Sequence, residues 1–85
     1  MPQFGLDFVE RVVCFRRPEE SEAAFARRLR INLTTLRDWL LYRDAKRDFE
    51  PKIRTAQIVA ENLGVSLPWL LLGIGSKENG AGVGR

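Results

Sequence analysis

Residues 22–41 read EAAFARRLRINLTTLRDWLL. Phe25, Ala26 and Leu29 fall at i, i+1 and i+4, and Leu36, Trp39 and Leu40 fall at i, i+3 and i+4. Each set makes one apolar stripe on an α-helix. Ile31 sits in the break between the stripes. Ser21 precedes the first stripe and Asn32 the second, and both are good helix N-caps. Only Arg30 and Ile31 separate Leu29 from Asn32, so the turn is tight. The spacing predicts two short helices across that turn, the second running from Leu33 to about Tyr42.

Leu33, Thr34, Thr35, Arg37 and Asp38 lie outside the second stripe and are predicted to face solvent. This is the layout of a helix-turn-helix, whose second helix enters a DNA major groove. Leu33 and Thr34 come first on that helix. A leucine there suits a thymine methyl, and Arg37 has the length and fork for guanine O6 and N7. Asp38 can accept from cytosine N4 or orient Arg37. The bland alternative for Arg37 is a phosphate contact or an ion pair with Asp38 or Glu22. A carboxylate cannot donate to phosphate, so Glu22 is expected to buttress Arg37.

Charge supports the same face. The chain of 85 residues carries a net charge of +3. Residues 27–54 hold nine basic residues against four acidic ones, so the remainder is net acidic. A polyanion is the natural partner of such a segment, although a solvated mixed-charge surface has the same composition. Arg27, Arg30, Asn32, Thr35, Arg43, Lys46 and Arg47 are the candidates for the DNA backbone. Asn32 has the competing duty of a cap. Trp39 belongs to the core stripe and is not read as a base-stacking residue.

The flanks read as helices too. Asp7 with Glu10 resembles a capping box ahead of Phe8, Val12 and Phe15, a stripe widened by Val9 and Val13. Arg16 and Arg17 suit the negative end of that helix, and Pro18 stops it. Residues 43–49 read as a charged loop or a frayed extension. Pro51 is placed as the first residue of a fourth helix buried through Ile53, Ala56, Val59, Ala60 and Leu63, with Gly64 as its left-handed stop. Ser66 caps a short fifth helix with Pro68 in its first turn. No alternating strand pattern appears, so the fold class is all-α, with five helices over residues 1–74. Five of the seven glycines fall in the last 13 residues, and 75–85 read as a flexible tail or linker.

Composition narrows the chemistry. Cys14 is the single cysteine and there is no histidine. Zinc sites and histidine-based catalysis lack raw material, no metal or cofactor is expected, and an enzyme is not. A lone thiol and the lack of a secretory pattern point to the reducing cytoplasm.

Two segments carry a family resemblance. FARRLRINLTTLRDW resembles a pattern of alanine in the first helix, a tight turn, a polar cap, then a branched apolar residue and Trp. AENLGVSLPWLLLGIG is similar to a closing segment of the form LGVS, WLL, G. Together they resemble the lambda-repressor-like helix-turn-helix family, most closely the N-terminal DNA-binding domains of phage lysogeny repressors. The likeness covers nearly everything from Asp7 to Gly75. It implies a five-helix DNA-binding domain, a homodimer on a palindromic operator, and a location with bacterial DNA. It also implies that the tail can lead into a C-terminal oligomerisation domain of a longer parent protein. Part of the WLLLGI run must cover the domain's own core, and the outward part of Trp69, Leu70, Leu71 and Ile74 suits a dimer contact, with simple core packing as the equal alternative. Such folds also serve as antitoxins or protein-binding adaptors, and that alternative stays open. The chain departs from the family at Arg30, where the turn usually carries glycine and a left-handed backbone; Arg30 is either merely tolerated there or kept for a phosphate contact.

Overall fold

Phe8, Phe25, Leu29, Leu36 and Leu70 come from four different helices, and each is at most 1 % exposed. They form the centre of a computed structural model that describes residues 4–75 and residue 77. Its helices are α1 (Phe4–Val13), α2 (Glu22–Leu29), α3 (Leu33–Asp44), α4 (Ile53–Leu63) and α5 (Leu67–Leu72). Among the described residues there is no strand beyond an isolated bridge at Val65, so the chain is all-α. Helix α1 packs on α3 and α5, α2 on α3 and α4, and α4 on α5. No described helix is long and apolar enough to cross a membrane.

The predicted stripes supply most of the core. Val9, Val12, Ala26, Trp39, Leu40, Ala56, Val59 and Ala60 are buried around the central five. Trp39 stands edge-on to Phe8, with centroids 5.1 Å apart and planes at 80°. That geometry favours the ring quadrupoles. It fixes α3 on α1 and commits the indole to the interior.

Several ends differ from the sequence expectation. Helix α1 begins at Phe4, so Asp7 lies in its first turn and does not cap it. The cap comes from far along the chain: Asp48 Oδ1 accepts from the amides of Gly5 (2.9 Å) and Leu6 (3.2 Å). Helix α1 also ends at Val13, well before Pro18, with Arg11 as the basic residue of its last turn. Helix α3 runs two residues past Tyr42, to Asp44. Helix α4 starts at Ile53, with Lys52 in the cap position, and Pro51 is buried ahead of it. That later start leaves Ile53 at the helix end and 61 % exposed, outside the buried stripe.

Ser21 and Ser66 cap as expected, accepting from the amides of Ala24 (3.1 Å) and Trp69 (3.3 Å). The α1–α2 connection is held by Arg28, which donates from Nε and Nη2 to the two Glu20 oxygens, both at 2.9 Å, and from Nη2 to the Phe15 carbonyl at 2.6 Å. The described part of the proposed tail is not loose throughout. The Ser66 amide donates to the Lys77 carbonyl, and the Lys77 ammonium lies over the rings of Phe15 (4.9 Å) and Trp69 (5.5 Å). The rest of the proposed tail, residue 76 and residues 78–85, lies outside the described residues.

Candidate nucleic-acid interface

Three helices end in the same way, and two of these ends bracket α3. After α2, the Ile31 amide donates to the Ala26 carbonyl and the Arg30 amide to Arg27. After α3, the Arg47 amide donates to Tyr42 and the Lys46 amide to Arg43. After α4, Val65 donates to Ala60 and Gly64 to Glu61. These are paired closures that need one left-handed residue each. Glycine supplies it only at position 64; Arg30 (φ 64°) and Lys46 (φ 54°) supply the others. A non-glycine residue there costs on the order of 1 kcal/mol. Among the described residues these are the only non-glycine residues with positive φ, and both are basic.

Between those turns α3 presents an exposed strip. Thr34, Arg37, Asp38 and Leu41 are all exposed and lie within an arc of about 100° on the helix. Leu33 does not belong to it. Leu33 is half-buried and packs against the core, because it lies three and seven residues before Leu36 and Leu40 and so shares their face of α3. The predicted apolar reader at position 33 is thus largely a scaffold residue. Thr35 is half-buried on the opposite flank. Asn32 occupies the cap position but makes no capping hydrogen bond, so its exposed amide is not committed to the helix end.

Arg37 is oriented. Its Nε donates to Glu22 Oε1 at 3.3 Å, and the two side chains stay 61 % and 41 % exposed. Glu22 thus pairs with Arg37 from the first turn of α2, a contact that fits both the buttress and the surface ion pair that the sequence leaves open.

The basic residues form a rim. Arg27, Arg30, Lys46 and Arg47 are exposed. Arg43 is half-buried, and its Nη2 lies 3.5 Å from Asp44 Oδ1, so part of its charge is answered within its own helix end. Lys52 and Thr55, which the sequence reading did not assign to the site, join it through the fold. A groove of about 400 Å³ beside α3 is lined by Asn32, Thr35, Asp38, Lys52 and Thr55, among others. A second, of about 350 Å³, continues along Arg30, Asn32, Thr35 and Thr55. A helix start at Pro51 would put Lys52 inside α4; the start at Ile53 leaves Lys52 exposed in the cap position.

The loop that carries Lys46 and Arg47 is anchored. Asp48 grips the first amides of α1, and the Phe49 ring packs on Tyr42 at 4.9 Å. A Cβ on Gly5 would collide with Phe49, so glycine permits the close approach. Two exposed cations thus sit next to a fixed segment.

The expected dimer contacts divide. Leu70 is fully buried at the centre of the core and is not available to a partner. Trp69 and Leu71 are half-buried, and Trp69 packs edge-on against Phe15. Ile74 is exposed, and so is Leu72, which the sequence reading left out of that set. Cys14 is exposed, and no cluster of three or more metal-ligating side chains occurs among the described residues. No protein-family model, no curated protein and no solved structure matches the chain.

Proposed function

We propose that this chain is a sequence-specific DNA-binding domain of a transcriptional regulator, of the phage or prophage repressor type, acting as a homodimer on a palindromic operator. One observation carries the reading: the exposed Thr34–Arg37–Asp38–Leu41 strip of α3 lies between two turns whose left-handed positions are both basic. Keeping Arg30 and Lys46 where glycine is easier costs stability, and phosphate contacts flanking the groove would offset it. The sequence resemblance to the lambda-repressor-like family supports the same role.

In this reading α3 lies in the major groove. Arg37, held by Glu22, addresses a guanine, while Thr34 and Asp38 contact neighbouring base edges. Arg27, Arg30, Asn32, Thr35, Arg43, Lys46, Arg47 and Lys52 face phosphates. Ile74 and Leu72, with Leu71 behind them, supply the self-association surface. Two α3 helices would then sit about 34–36 Å apart.

Selection of bound sequences from a random DNA pool, followed by a salt titration on the winner, tests the proposal. Enrichment of a two-fold symmetric site with a steep loss of affinity in salt is expected. Absence of enrichment, or a flat salt response, sinks it. An antitoxin or adaptor role is the second reading, favoured by the exposed Ile53, Leu72 and Ile74. A stable protein partner with no DNA retained would support it.

A further inference from the structure

Leu41 is 63 % exposed, the most exposed large apolar side chain among the described residues. It does not sit in an apolar neighbourhood. Its companions on the strip are Thr34, Arg37 and Asp38, and on the helix surface it lies near the middle of their arc. The other exposed apolar residues, Ile53, Leu72 and Ile74, belong to α4, α5 and the segment after it. Leu41 is therefore a separate feature that the self-association surface does not absorb.

A DNA major groove offers hydrogen-bond donors and acceptors at every base pair but only one apolar group, the 5-methyl of thymine. A leucine at the C-terminal end of a strip that enters the groove, in line with its polar residues, has that one complementary surface. Leu41 stands about 10 Å along the helix from Thr34, two turns further on, so the two side chains meet different base pairs. Leu33, the alternative reader of a methyl, is half-buried against the core and has less surface to offer.

Resting on the DNA-binding reading above, we propose that Leu41 is a specificity-determining residue that reads a thymine 5-methyl group, separated from the bases read by Thr34 and Arg37.

The test uses the selected operator with each thymine replaced in turn by uracil, which removes one methyl and leaves every hydrogen-bonding group in place. The wild-type chain should lose about fourfold in affinity at one thymine per half-site, the worth of one buried methyl. Leu41→Ala should bind thymine and uracil at that position equally, while Leu33→Ala should keep the difference. Circular dichroism checks that both variants fold. Retention of the thymine–uracil ratio in Leu41→Ala, or insensitivity of every thymine in the wild type, overturns the assignment while leaving DNA binding intact. Failure of the pool to yield any operator overturns the DNA-binding reading and this assignment with it.

Discussion

Arg37 Nε donates to Glu22 Oε1 across 3.3 Å, linking the first turn of α2 to the outward face of α3. Both side chains are well exposed, so water screens the pair and its share of stability is small, at most about 1 kcal/mol. Its use is to hold a long side chain in one direction. Glu22→Gln should change the melting temperature little and, in the proposed role, broaden base preference at the position assigned to Arg37. Arg37→Ala should abolish that preference, at about 1–3 kcal/mol for the favoured base. Selection profiles of the two variants, compared position by position, check both.

Arg30 and Lys46 give predictions of opposite sign for folding and binding. Arg30→Gly and Lys46→Gly each relieve a left-handed backbone and should stabilise the chain by about 0.5–1 kcal/mol, measured by urea unfolding. Each also deletes one cation. In the proposed role each should weaken all DNA sequences alike and reduce the salt slope by about 1. A glycine variant that gains stability and loses no affinity would remove that residue from the phosphate contacts.

The Glu20 carboxyl is pulled down to about 2 from the ordinary 4.5, chiefly by the hydrogen bonds from Arg28 and also by the Arg17 amide. Its folded pKa lies below its unfolded one. The stabilisation is therefore complete above about pH 4.5 and is lost as pH falls toward 2. Glu20→Gln should be less stable than wild type at neutral pH, and the two should converge near pH 2. Unfolding midpoints measured across that range decide it; a constant gap would contradict it.

Leu70 and Leu72 lie two residues apart on α5 and should behave oppositely. Leu70 is fully buried, and Leu70→Ala should cost about 2–5 kcal/mol. Leu72 is 46 % exposed, and Leu72→Ala should change stability by about 0.5 kcal/mol or less. If α5 supports self-association, Leu72→Ala weakens the dimer in sedimentation while leaving the monomer folded.

The helices were legible where one face repeats. The stripes of α2 and α3 fixed the buried set around Phe25, Leu36 and Trp39, because a core face must recur at helical spacing. The ends were less legible where a distant residue completes them. Asp7 looked like a cap, but Asp48, more than forty positions away, does that work at α1. Lys46 gave no sign of a helix stop, since the usual signal is glycine; its conformation follows from the amide–carbonyl pairing around it. Leu33 is half-buried where the sequence reading has it facing solvent. Leu33 lies three residues before Leu36 and seven before Leu40, on the buried side of α3, whereas Leu41 lies on the outward arc with Arg37 and Asp38.

Asp48→Ala should destabilise the chain by about 0.5–2 kcal/mol through the lost cap, whereas Asp48→Asn keeps an acceptor and most of the stability. Denaturant midpoints of the two variants separate capping from charge.

The Asp48 contact also has a kinetic meaning. It joins positions 42 and 43 residues apart in sequence, so it cannot form until α3 has docked on α1. The first turn of α1 should thus be among the last segments to order and the first to open below global unfolding. The Gly5 and Leu6 amide protons become reporters of the loop carrying Lys46 and Arg47. Their hydrogen-exchange rates should rise when that loop detaches and slow when a polyanion holds it in place.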